Sequence, residues 1–213
     1  MKRIVFALLA LTLMFSMVAC GEAAKETETM EEATATAETL EATTEEANKT
    51  EEKEEASETG AVAILNKAWN KVPEDKKFPV MGGDFDAPVD GKAGKVNIKN
   101  VENTTATLHI TEEDLGKVTE AAAITHMMNA NTFTCAAYQV KSEDAEAFIS
   151  SLKDSIKATQ WMCGFPETLI IYTVDGEYVV AAFGNGEAID NFEAGLNDAF
   201  GASAVLNVEE ALA

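Results

Sequence analysis

Two histidines and three cysteines are the scarcest reactive side chains in this chain, and their spacing limits the chemistry they can do. His109 and His126 lie 17 residues apart and, with Cys135, form a loose trio of zinc ligands. The apolar Ile124, Met127 and Met128 around His126 favour a packed histidine instead. Cys135 and Cys163 allow either two separate buried thiols or a disulfide, the latter worth about 3.6 kcal/mol for a loop of about 29 residues. A redox role lacks its C-x-x-C spacing. Asp84, Asp86 and Asp90 offer oxygen donors to calcium, but Pro88 and Val89 stand where a fifth ligand and a glycine are needed. Gly184-Asn185-Gly186 offers backbone amides to an anion, yet Glu187 and Asp190 follow directly and oppose one, so the run reads as a turn. Ser151 and Ser155 have no activating motif, and the chain has no P-loop, G-x-S-x-G or H-E-x-x-H run. No catalytic residue, metal or cofactor is therefore assigned. The segment Gln160 to Pro166 is the best recognition candidate, because Trp161 and Phe165 are aromatic anchors in a connection; the competing reading is that they close the edge of a core.

The elements that must position these residues are legible in part. Val62, Leu65, Trp69 and Val72 recur at helical spacing before Pro73, and the Gly-, Pro- and Asp-rich stretch 78–94 reads as a long loop. Residues 95–98 and 106–110 read as short strands. Thr111 followed by Asp114 resembles a capping box and predicts a helix presenting Leu115, Val118, Ala122 and Met128. A strand over 132–140 and a helix capped by Ser142, with Phe148, Ile149, Leu152 and Ile156 on one face, come next. The apolar runs 169–174 and 178–183 flank Asp175-Gly176, a favoured hairpin pair, and Ile189, Phe192, Leu196 and Phe200 mark a last helix. Together they predict a single α+β domain: helices packed against a small antiparallel or mixed sheet, with a C-terminal hairpin followed by a helix.

The amino terminus carries the sharpest pattern. Lys2-Arg3 precede an apolar run from Ile4 to Val18, about 22 Å long as a helix and so short for a bilayer core of about 30 Å. A basic head, an apolar segment and small residues before a cleavage point make a secretory signal. Val18-Ala19-Cys20-Gly21 resembles a bacterial lipobox, with Met17 where leucine is usual. That resemblance implies removal of residues 1–19, diacylglycerol on the Cys20 sulfur, and anchorage at the extracytoplasmic face of a bacterial plasma membrane. The order Glu143-Asp144-Ala145, Gln160-Trp161 and the hairpin 169–183 is similar to an uncharacterised lipoprotein domain of Gram-positive gut bacteria over about residues 112–200. It brings no activity with it.

Composition separates the rest. Between Gly21 and Gly60 there are 14 Glu and 3 Lys but only two large apolar residues, Met30 and Leu40, too few to offset the entropy of ordering. Residues 20–60 thus read as the modified cysteine and an acidic tether, and 61–213 as the globular domain. Of the formal charge of −21, residues 21–60 hold −11 and Lys2-Arg3 contribute +2, so the domain carries −12. Arginine is absent beyond Arg3, and this field disfavours nucleic acid and anionic membrane as ligands. The expected function is a surface-anchored lipoprotein whose domain binds a small ligand or a cell-envelope protein without catalysis. The alternatives are an extracytoplasmic hydrolase whose site forms only in three dimensions, and an accessory component of a membrane transport complex.

Overall fold

Strands that are apolar at every position need cover on both faces. The computed structural model describes residues 60–212, and the signal, Cys20 and the tether up to residue 59 lie outside the described residues. In chain order the elements are α1 (Gly60–Lys71), β1 (Val80–Gly82), β2 (Val89–Asp90), β3 (Gly94–Lys95), α2 (Val101–Leu108), α3 (Glu112–Leu115), β4 (Val118–His126), β5 (Phe133–Val140), α4 (Ala145–Lys157), β6 (Thr168–Val174), β7 (Tyr178–Gly184), α5 (Gly186–Phe200) and β8 (Ala204–Ala211). The strands form one sheet in the order β2-β1-β4-β5-β7-β6-β8, with β3 beside β1 on the same edge of β4. All pairings among them are antiparallel. The domain is α+β, and hairpin β6–β7 leads directly into α5.

The sheet divides two cores. On one side α1 and α5 cover Ala122, Ile124, Phe133, Cys135, Ile170 and Val180 with Leu65, Trp69, Ile189, Phe192 and Leu196. On the other, α2, α3 and α4 cover Ala121, Ala123, Tyr138, Leu169, Ile171 and Phe183 with Leu108, Leu115, Phe148, Leu152 and Ile156. The apolar stripes read for the first helix, for the helix over 145–157 and for the last helix are thereby placed on a core. At the hairpin, Asp175 and Gly176 both have positive φ (51° and 73°) and the Glu177 amide donates to the Val174 carbonyl, as a type I′ reversal requires.

Four expectations are corrected. Thr111 does cap a helix, accepting from the Asp114 amide at 3.1 Å, but α3 lasts one turn and β4 replaces the expected continuation. Residues 106–110 are not a strand: α2 runs from the Asn100 cap to Leu108 and ends at His109, whose φ is 53°. The stretch 78–94 is not all loop, since β1 and β2 lie within it. Ser142 is not a helix cap either; its hydroxyl donates to the Gly176 carbonyl at 3.3 Å. Strand β8, which no periodicity announced, pairs along β6 through a bulge and is tied to α4 by Glu210 with Lys157.

Helices α1 and α5 touch because residue 195 has no side chain. A Cβ on Gly195 would lie 2.7 Å from the Ala68 carbonyl and 3.3 Å from the Val72 amide. Gly195→Ala should therefore destabilise the domain by about 2 kcal/mol through overpacking, against the roughly 1 kcal/mol that alanine gains at an open helical site. Urea unfolding measures this, and an unchanged or raised midpoint contradicts the close approach.

Candidate functional site

The connections at one end of the sheet, where β4 ends and β5 begins, gather the most chemistry. His126 closes β4 and pairs with Val80 across the edge. Its Nδ1 accepts from the backbone N–H groups of Met128 (3.1 Å) and Asn129 (3.2 Å), which places the proton of the neutral ring on Nε2. The ring lies 5.1 Å from Phe78, and Phe78 meets Trp69 at 5.2 Å and Phe133 at 5.3 Å. The wall is thus continuous with the first core.

Beside it opens a pocket of about 280 Å³, bounded by Phe78 and His126, by Thr132, and by Asn185, Glu187 and Asn191 from the start of α5. Lys76 reaches its rim and pairs with Glu187 at 2.9 Å; that hydrogen bond and charge raise the Lys76 ammonium above its ordinary value. The amides of the β7–α5 turn are already engaged. The Gly186 N–H donates to Glu167 at 2.9 Å, and the Asn185 side chain both accepts from the Glu187 N–H (3.1 Å) and donates to Glu167 (3.3 Å). The anion that this turn could hold is the protein's own Glu167 carboxylate.

The other sequence candidates are dispersed. His109 lies on the opposite side of the sheet from His126, with Trp161 at 4.7 Å and Phe183 at 5.4 Å; its Nδ1 is 3.2 Å from the Thr159 hydroxyl, and burial lowers its pKa. The zinc trio is therefore not assembled, and among the described residues no three His, Cys, Asp or Glu side chains could hold a metal ion. Asp84 organises its loop, accepting from the amides of Asp86 (3.1 Å), Ala87 (3.0 Å) and Asn97 (2.7 Å). Of the two arrangements open to Cys135 and Cys163, the structure holds two separate thiols. Cys135 is enclosed in β5 facing the first core, where burial pushes its thiol well up, while Cys163 is an exposed loop residue. Only one of the two thiols is buried.

Trp161 and Phe165 part company. Trp161 is half-buried and packs on His109 and Phe183 at the rim of the second core, whereas Phe165 is exposed. Ser155 donates to the His109 carbonyl at 2.6 Å and Ser151 to Asp114, so both hydroxyls brace the structure. Sequence reading missed the pocket because its walls come from three separated segments; the only signal was His126 itself, flagged for a metal it does not gather. A second concavity, at the opposite end of the sheet, is lined by Thr119, Gln139, Ser142, Glu143 and Glu177 and lacks an aromatic wall.

No protein-family model, curated protein or solved structure matches this chain. The functional reading therefore stands on the residues alone. No helix among the described residues is long and apolar enough to cross a membrane.

Proposed function

We propose that this protein is a lipoprotein held at the extracytoplasmic face of a bacterial plasma membrane through Cys20, and that its α+β domain binds a small envelope ligand without transforming it. The observation that carries the binding role is the pocket beside His126. Its volume of about 280 Å³ lies just below the usual range of small-molecule sites, about 300 to 1,000 Å³, so it suits a small ligand. Phe78 supplies a flat apolar wall, and the Nε2–H of the neutral His126 ring supplies a donor held in place by two backbone amides. At the rim Lys76 engages Glu187 while Asp75 adds a carboxylate, so one charged pair is already satisfied and the binding reading rests on shape and hydrogen bonding. A neutral or zwitterionic molecule with a planar apolar part and a hydrogen-bond acceptor fits these walls.

The chain has only two histidines, which makes the test direct. With imidazole-labelled full-length protein, fractionated envelope small molecules are added and both ring resonances followed by NMR. A ligand should shift His126 and leave His109, enclosed by Trp161 and Phe183, in place. No fraction shifting His126, or equal shifts at both rings, contradicts the pocket as the site. Conversion of the added compound during the experiment decides for the hydrolase alternative.

A further inference from the structure

We propose that the loops beside this pocket form an apolar tip that enters the lipid surface and fixes how the anchored domain faces its membrane; this rests on the lipid-anchored reading above. Two stretches meet there, 121–140 and 158–166, and neither contains a single Asp, Glu, Lys or Arg in a domain of net charge −12. Their exposed large apolar side chains are Met128 (82 %), Met162 (79 %), Phe165 (73 %) and Met127 (43 %), with Gln160 the exposed polar side chain among them. The charges that border them, Lys157 and Glu167 along the chain and Lys76 and Glu187 at the pocket rim, flank the apolar side chains rather than lie among them, which suits a hydrocarbon boundary. The remaining acidic surface is repelled by anionic headgroups, so this end is the one that can approach them.

Part of the backbone of the tip is already paired for such a setting. Unpaired peptide groups are costly in hydrocarbon. Here the Asn129 side chain donates to the Cys163 carbonyl at 2.9 Å, and the Asn131 side chain donates to the carbonyls of Met162 (2.9 Å) and Gly164 (3.1 Å). The amides of Met128 and Asn129 are taken by His126, and that of Asn131 by the Asn129 oxygen at 3.0 Å. Trp161, half-buried at the root of the loop, is the ring that the proposed orientation would bring to the headgroup level, where aromatic side chains favour the interface.

The tether geometry permits the approach. Gly60 begins α1 against Glu120, near the opposite end of β4 from His126, so about 20 Å of strand separates tether from tip. Residues 21–59 reach at most about 130 Å when extended, more than enough to bring the tip back to the bilayer. A lipid anchor also keeps the tip at high effective concentration over the surface, so a weak intrinsic affinity suffices. The pocket beside His126 then faces the membrane, where its ligand would be met.

The experiment uses the lipidated full-length protein in phosphatidylcholine–phosphatidylglycerol vesicles, with and without bromine on the acyl chains. Trp69 is buried in the first core, so the emission missing in Trp161→Phe reports the tip. Brominated lipid should quench most of that emission. Joint replacement Met128→Asp, Met162→Asp and Phe165→Asp, all at exposed positions, should abolish quenching while the protein still floats with the vesicles. Flotation without quenching of the native chain overturns the inference and leaves the anchor standing. Failure to float overturns both. A photo-crosslinker at Met128 that labels one protein in native membranes, with no quenching by brominated lipid, assigns the surface to a protein and overturns the inference as well.

Discussion

Phe133→Ala should lower the unfolding free energy by about 4 kcal/mol, within the range of about 3–5 kcal/mol found for phenylalanine deletions in cores. Phe133 is fully enclosed at the start of β5, with ring centroids 5.3 Å from Phe78, 5.4 Å from Phe192 and 5.9 Å from Trp69. It therefore joins the central sheet to α1, to α5 and to the pocket wall. Aromatic pairs add about 0.5–1.5 kcal/mol each beyond the area they bury, which places this loss above that of an aliphatic deletion. Against a total stability of about 5–15 kcal/mol, the variant loses a large share. Urea unfolding with an unchanged m-value measures it. The control is Met128→Ala, whose side chain is 82 % exposed and should change stability by less than about 0.5 kcal/mol. Equal effects from the two variants would contradict the core placement of Phe133.

Asp114→Ala should cost about 3 kcal/mol for a different reason. Its carboxylate is 1 % exposed and is held by the Thr111 hydroxyl (2.6 Å), the Lys117 ammonium (2.8 Å) and the Ser151 hydroxyl of α4. Removing it leaves three donors facing a void between α3 and α4, and breaking such a buried set is more damaging than its net worth suggests. Burial pushes the Asp114 pKa up, but the hydrogen bonds from Lys117, Ser151 and Thr111 and the lysine charge outweigh it, and the folded value lies below the ordinary one. A folded value below the unfolded one contributes stability above the unfolded pKa of about 3.9 and loses it as pH falls through the folded value. The difference in stability between wild type and Asp114→Asn should thus be constant near neutral pH and shrink in that acidic window. A difference that grows on acidification contradicts the depressed carboxylate.

The parts of the fold legible in the sequence are those with one clear period. Helices α1, α4 and α5 each show one apolar stripe, and hairpin β6–β7 shows two apolar runs around Asp-Gly. Strand β4 is hidden because Ala121 and Ala123 face one core and Ala122 the other, so neither alternation nor bulk marks a strand. Alanine is also the best helix former, and the true cap at Thr111 reinforces the wrong element. Strand β8 is hidden by its exposure and by the bulge that breaks its alternation near Asn207.

The candidate site was less legible than the fold. Trp161 and Phe165 share one short loop, yet one packs on His109 and the other faces solvent; only the path of the loop across Asn129 and Asn131 decides which. The pocket needs Phe78, His126 and Asn191 together, and no local pattern links segments so far apart. His126 illustrates the difficulty. The apolar residues beside it suggested a packed histidine, with Met128 on a helix face, whereas Met127 and Met128 belong to an exposed connection that the histidine itself holds in shape.

The proposed anchor is tested most directly by the mass of the amino-terminal peptide from protein extracted out of membranes. The account predicts a peptide that begins at Cys20 and carries a diacylglycerol group on its sulfur. A free Cys20 thiol, or a chain that begins beyond Cys20, would contradict it.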